Sequence, residues 1–129
     1  MAMAVTASTS EAARVAAAAG RSYAIRGEFV VESALADAPL AAVLPDLAGS
    51  RSVVVPERRR CEIVLDDGAA ATDLIAVADA LAADGWEVVV LLPAARLGEA
   101  HTGLRGTPCT LQPWWWHANR ICFGGIEIP

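Results

Sequence analysis

Two aspartates and a glycine follow an apolar stretch in the second half of the chain. Asp66, Asp67 and Gly68 come directly after "CEIVL" (61–65). Open α/β sheets bind ligands at the carboxyl ends of their parallel strands, so this turn is a candidate ligand site. A pyrophosphate there would need free backbone N–H groups, and two carboxylates oppose it. Three interpretations stay open: the aspartates cap the next helix, contact a ligand hydroxyl or a metal, or mark a degenerate nucleotide site.

Three consecutive tryptophans, Trp114, Trp115 and Trp116, are the second unusual feature. Three adjacent large side chains cannot all face one core. At least one is therefore expected to reach a cleft, a partner subunit or a planar ligand. We predict that these tryptophans are interface residues.

The remaining reactive side chains show no catalytic pattern. The chain has three cysteines, Cys61, Cys109 and Cys122, and no two of them form a CxxC pair. Neither a disulfide framework nor a zinc or iron–sulfur motif is therefore indicated. His101 and His117 lack the spacing of a metal cluster or of a Ser-His-Asp triad, and the chain has no lysine. No catalytic residue and no metal ligand is predicted.

Composition narrows the class of protein. The chain has 129 residues, a net charge of −5, 55% hydrophobic residues and a mean hydropathy of +0.42. The acidic balance argues against nucleic-acid binding, and the high apolar content suggests burial against a partner. The only basic run, Arg58 to Arg60, is either a solvated strand entry or an anion or partner contact. Without a membrane-length apolar run or a basic leader, the predicted location is the reducing cytoplasm.

The second half has the clearest element pattern. After the strand at 61–65, Leu74, Ile75, Val77, Ala78, Leu81 and Ala82 form one apolar helix face, and Gly85 is placed to end that helix. "EVVVLLP" (87–93) is apolar without alternation, as in a strand covered on both faces. The pattern predicts a βαβ unit with parallel strands, followed by a last strand broken at Gly124-Gly125. The predicted fold is a Rossmann-like, three-layer α/β domain with a mainly parallel sheet.

The first half is predicted to be irregular. A short helix is expected over 8–19, with Ser8 and Glu11 at capping-box spacing and Gly20 at its end. Strand composition follows over 22–32, then short helical turns near Pro39 and Pro45, then a strand that Pro56 ends. We predict an N-terminal extension or docking helix over 1–21 and a single Rossmann-like domain over 22–129.

Several of these motifs occur in the order found in a known family. From about Cys61 to Ile126, the chain resembles the second nucleotide-binding-like domain of the NADH:flavin oxidoreductase group that includes trimethylamine dehydrogenase and 2,4-dienoyl-CoA reductase. The matching stretches are "VLDD", "ADALAADGWEVVVLLP", "RLG" and "TLQPWWWHANRICFGGI". The resemblance implies that Asp66, Asp67 and Gly68, with Pro93, lie at a cofactor-binding edge.

The family's catalytic parts are missing from this chain. It has no barrel, no iron–sulfur cysteine cluster and no GxGxxG flavin fingerprint. The resemblance therefore implies a small, non-catalytic accessory subunit of a multisubunit flavin-dependent oxidoreductase, whose larger partner subunit carries FMN, FAD or a 4Fe-4S cluster. No cofactor is assigned to this chain itself. The alternative function is a free-standing module that binds a small molecule or a nucleotide.

Overall fold

A computed structural model describes residues 10–35, 47 and 49–129. Ser8 and the helical turns predicted near Pro39 and Pro45 lie outside the described residues. The helices are α1 (Glu11–Ala24), α2 (Ile75–Ala83) and α3 (Leu97–Gly103). The strands are β1 (Val31–Ala34), β2 (Arg51–Val55), β3 (Arg60–Val64), β4 (Glu87–Pro93), β5 (Thr110–His117) and β6 (Arg120–Phe123).

The six strands form one mixed sheet, and their order across the sheet is their order along the chain. β1 with β2, β2 with β3, and β5 with β6 are antiparallel, while only β3 with β4 and β4 with β5 are parallel. The prediction of a Rossmann-like domain with a mainly parallel sheet is therefore wrong. Because the strand order never reverses, the sheet also lacks the switch point at which such folds open a ligand crevice.

The lengths of two connections explain two of the antiparallel pairs. Only Pro56 to Arg59 joins β2 to β3, and only Ala118 and Asn119 join β5 to β6. A parallel crossover needs a dozen or more residues, so both links force antiparallel hairpins. Ala118 and Asn119 have φ angles of 48° and 65°, as in a two-residue type I′ turn. The two parallel pairs, β3 with β4 and β4 with β5, are joined by the links that contain α2 and α3.

The predicted strand–helix–strand unit is confirmed as local structure. β3 and β4 are parallel with α2 between them, after a 3₁₀ turn at Ala71–Leu74. Gly85 has a φ of 84°, a left-handed conformation that favours glycine after a helix end. After β6 and the Gly124-Gly125 break, the chain returns to the sheet, where Leu111 and Glu127 pair through a single bridge.

Alternate strand residues supply two core clusters, one on each face of the sheet. On one face, Val88, Val90 and Leu92 of β4 pack with buried residues of α2 and α3. On the other face, Val89 and Leu91 pack with the buried side of α1. Burial on both faces explains why β4 is apolar without alternation.

α1 is longer than the helix predicted over 8–19. Its N-cap is Ser10, whose hydroxyl accepts the Ala13 N–H at 3.1 Å, and it continues through Gly20 to Ala24. A Cβ added at Gly20 would lie 2.5 Å from a carboxylate oxygen of Glu32, so this glycine permits a close approach to β1. The strand predicted over 22–32 is therefore mostly wrong, since β1 begins only at Val31.

Candidate functional site

The predicted cofactor-binding residues come together at one edge of the sheet. Asp66, Asp67 and Pro93, together with Trp114, line a cavity of about 330 Å³. Its remaining lining residues are Glu11, Ala12 and Leu65. Gly68 lies in the same turn and is exposed, but it does not line the cavity.

Several backbone N–H groups of this turn are hydrogen-bonded within the chain. The Asp66 carboxylate accepts the Gly68 N–H at 3.0 Å, and the Asp66 carbonyl accepts the Ala69 N–H at 3.1 Å. The Asp73 carboxylate accepts the Ala70 N–H at 3.2 Å, so Asp73, and not the predicted aspartate pair, serves the start of the α2 segment. Three N–H groups that a phosphate could use, those of Gly68, Ala69 and Ala70, are thus hydrogen-bonded within the chain, which opposes nucleotide binding at this turn.

An arginine fixes the same turn from the other side. Arg96 donates to the carbonyl oxygens of Asp66 and Ala69 at 3.2 and 2.6 Å, and to Glu99 at 2.7 Å. The Ser50 hydroxyl accepts the Asp66 N–H at 3.0 Å. These bonds make the turn a structural element of this fold.

The three tryptophans alternate along β5. Trp114 is buried in the α1-side core, and its indole N–H has no partner among the described residues. Trp116 lies on the same side, edge-on to Trp114 with ring centroids 6.5 Å apart, and donates to Glu11 at 3.1 Å. Trp115 lies between them in the strand and so projects from the opposite face. Trp115 and Trp116 are each 42% exposed.

A larger groove runs between α1 and the β5–β6 hairpin. It has a volume of about 750 Å³. We call it the α1–β6 groove. Apolar side chains on its surface are Ile25, Trp116, Ile121 and Phe123, and alanines of α1 form much of its helical wall. Arg14, Arg21 and Arg120 also line it.

The arginines of the α1–β6 groove differ from the others in their partners. All ten basic residues of the chain are arginines. Five of them form ion pairs with carboxylates: Arg26, Arg58, Arg59, Arg60 and Arg96. Five have no such partner within the described residues: Arg14, Arg21, Arg51, Arg105 and Arg120. Three of these five line the groove, which makes it a positively charged surface on an acidic protein.

The sequence signal for this groove is the spacing of two arginines in α1. Arg14 and Arg21 are seven residues apart in α1, so they lie on one side of the helix two turns apart. The intervening stretch is rich in alanine. Arg120, from the other end of the chain, joins them only in the folded structure.

A buried polar network lies near the amino ends of β3 and β4, at the opposite end of these strands from the Asp66 turn. Glu62 of β3 accepts from the Tyr23 hydroxyl and, at 2.9 Å, from Arg60. Arg60 also pairs with Glu87 at 2.6 Å, and the Arg26 guanidinium lies 5.3 Å from the centre of the Tyr23 ring. Burial, and then the bond to Glu62, raise the pKa of Tyr23 above its ordinary value. The sequence signal for this network is Glu62, the single charged residue within "CEIVL", because a glutamate in an apolar strand needs a buried partner.

Cys61 and Cys109 are buried, and His101 lies beside a carboxylate. Burial raises the pKa of the Cys61 thiol to about 12 and that of Cys109 to about 11, so neither is a thiolate near neutral pH. His101 pairs with Glu127 at 2.8 Å. Among the described residues, no three His, Cys, Asp or Glu side chains cluster so as to hold a metal ion. In the same part of the chain, no helix has the length and apolarity needed to cross a bilayer.

Comparison of the chain with protein-family models, with curated proteins and with solved structures finds no match in any of the three.

Proposed function

We propose that the chain is an accessory subunit that binds a larger protein through the α1–β6 groove. The observation that carries the proposal is that the groove brings three arginines, which have no ion-pair partner among the described residues, next to exposed apolar side chains. Arginine and aromatic residues are enriched in protein interfaces. Trp116 and Ile25, exposed at 42% and 78%, give the groove apolar area to bury.

A finer proposal names the partner as the larger chain of a flavin-dependent oxidoreductase that carries FMN, FAD or a 4Fe-4S cluster. It rests on the resemblance of 61–126 alone, and the mixed sheet gives it no support from the fold. Of the tryptophans predicted to be interface residues, Trp116 lies in the α1–β6 groove. Trp115 projects from the opposite face of β5 and is not part of this proposed interface. Trp114 contributes indirectly, because it is buried and supports the Trp116 ring.

The test compares two neighbouring tryptophans of equal exposure. A tagged chain is purified from its own host as wild type, as Trp116→Ala and as Trp115→Ala, which removes a side chain of the same size from the opposite face of β5. We expect the wild type and Trp115→Ala to retain a larger chain and Trp116→Ala to lose it. Circular dichroism of all three checks that the fold survives.

Two results would contradict the proposal. One is a chain that purifies alone and sediments as a monomer; the other is a partner retained equally by Trp116→Ala. The absorbance spectrum of the complex tests the finer proposal separately. A complex with neither flavin nor iron–sulfur absorbance would reject the oxidoreductase and keep the accessory subunit.

A second candidate function is the binding of a small molecule in the cavity beside Asp66 and Asp67. The observation in its favour is that Trp114, one of the residues lining this cavity, has a buried indole N–H without a partner among the described residues. A ligand at 100 times its Kd would stabilise the fold by about 2.7 kcal/mol. Thermal unfolding with NAD, NADP, FAD, ADP and AMP tests the nucleotide form of this function, and a flat response would remove it.

A further inference from the structure

The two faces of the sheet are covered unequally by the described helices. α2 and α3 lie on one face, while α1 alone lies on the other and packs mainly against β1, β2 and β3. A helix is about 10 Å wide and strands are about 4.8 Å apart, so one helix cannot cover all six strands of this face. The α1–β6 groove lies over the part of this face that β5 and β6 form.

The wall of the groove that α1 provides has the dimensions of a helix-packing surface. Arg14 and Arg21 are two helical turns apart, which is about 10.5 Å along the axis. Ala17 and Ala18 lie between them and line the groove. Small side chains allow a second helix to approach to the ~8 Å lower end of ordinary interaxial distances.

The positive charge of the groove indicates that its occupant is negatively charged. Within the part of the chain that the structure describes, one carboxylate contacts a side chain of the groove: Glu11 accepts a hydrogen bond from the Trp116 indole N–H. Arg14, Arg21 and Arg120 keep their positive charge without an ion-pair partner in the described chain. The protein as a whole carries −5, so this positive charge is a local property of the groove.

We infer that the occupant of the α1–β6 groove is an acidic amphipathic α-helix of the partner protein, packed beside α1. Its apolar side covers Trp116, Ile121 and Phe123. Two of its carboxylates, seven residues apart, pair with Arg14 and Arg21. The inference rests on the proposed function, since it names the part of the partner that the groove binds.

Photo-crosslinking in the native host tests which segment occupies the groove. A benzophenone amino acid replaces Ile25, which is 78% exposed and lines the groove, and in a control chain it replaces Ile128, which is 82% exposed and does not line it. We expect the Ile25 position alone to crosslink to a partner peptide that is helical, apolar on one side and acidic at a seven-residue spacing.

The crosslinking outcomes separate this inference from the proposed function. A crosslink to a basic or an extended segment of a larger protein would overturn the acidic helix and leave the accessory subunit standing. A crosslink to a second copy of this chain would overturn both. The absence of any partner at Ile25, together with a monomeric native chain, would also overturn both.

Charge reversal provides the second measurement. A synthetic peptide of the crosslinked helix is titrated against wild type and against the Arg14→Glu/Arg21→Glu double variant, with Arg105→Glu as the control at an exposed, unpaired arginine outside the groove. We expect the double variant to bind about tenfold more weakly and Arg105→Glu to bind like the wild type. A peptide with its two acids changed to Arg should restore binding to the double variant. Equal affinities for all three chains would overturn the charge pairing.

Discussion

Two groups of arginines lie on the α1 side of the sheet, and they differ in what surrounds them. Arg58 and Arg60, near the start of β3, are paired with Glu28 and with Glu62. The arginines of the α1–β6 groove are unpaired within the described residues and lie beside exposed apolar side chains. One residue type thus has two uses, and the presence or absence of a carboxylate partner tells them apart. Arginines of the first group hold the fold together, and those of the second are available to another molecule.

Removing the buried carboxylate should have the largest effect on stability. Glu62→Gln leaves Arg60 without its buried ion-pair partner, and we expect the free energy of unfolding to fall by about 3 kcal/mol. Urea denaturation measures the change. Glu57→Gln is the control, because Glu57 is exposed and forms no ion pair in the described part of the chain. A Glu62→Gln variant as stable as this control would show that the network contributes no stability.

The second-largest loss of stability is expected at Arg96, which donates to the backbone of the Asp66 turn. Arg96→Ala removes two hydrogen bonds from a charged donor to the backbone, and we expect a loss of about 2 kcal/mol. Arg105→Ala, at an exposed arginine without an ion-pair partner in the described ranges, should change the free energy of unfolding by less than about 0.5 kcal/mol. Hydrogen exchange at Gly68 and Ala69 should rise in Arg96→Ala only. Unchanged exchange there would contradict the fixing of the turn by Arg96.

A smaller, pH-dependent effect is expected at Tyr23. The pKa of this phenol is higher in the folded protein than its unfolded value of about 10. The phenol therefore contributes fully to the free energy of unfolding below about pH 10. This contribution is lost as the pH rises from there through the pKa of the folded state. Tyr23→Phe should cost about 1 kcal/mol at pH 7 and should weaken the loss of stability above pH 10.

The measurement is direct, because Tyr23 is the only tyrosine in the chain. Tyrosinate absorbance should appear near pH 10 in urea and only at higher pH in the folded protein. Ionisation at the same pH in both states would refute the buried bond between Tyr23 and Glu62.

The smallest effect on stability is expected in the groove itself. Arg14→Gln/Arg21→Gln should change the free energy of unfolding of the isolated chain by less than about 0.5 kcal/mol, since both side chains are exposed and have no ion-pair partner among the described residues. Thermal unfolding measures this. A loss comparable to that of Glu62→Gln would remove the distinction between the two groups of arginines.

Local patterns predicted the segment from β3 through α2 to β4 correctly, whereas α3 and β5 were not predicted. The apolar stretches at 61–65 and 87–93, the helix between them and its end at Gly85 depend on residues within a turn or two of each other. Ile75, predicted on the buried face of that helix, is exposed. Such patterns report which side of an element is buried. They do not report which strand lies beside it, so the fold class inferred from one βαβ unit was wrong for the whole sheet.

The sequence by itself determined the elements, the acidic balance, the absence of lysine and the oddity of three adjacent tryptophans. Only the tertiary structure decided which strands pair, which end of the sheet holds the buried network, and where unpaired arginines gather. Trp116 meets Glu11 across 105 positions, and Tyr23 meets Glu62 across 39. Contacts of that range depend on the packing of whole elements, because local propensity acts over only a few residues.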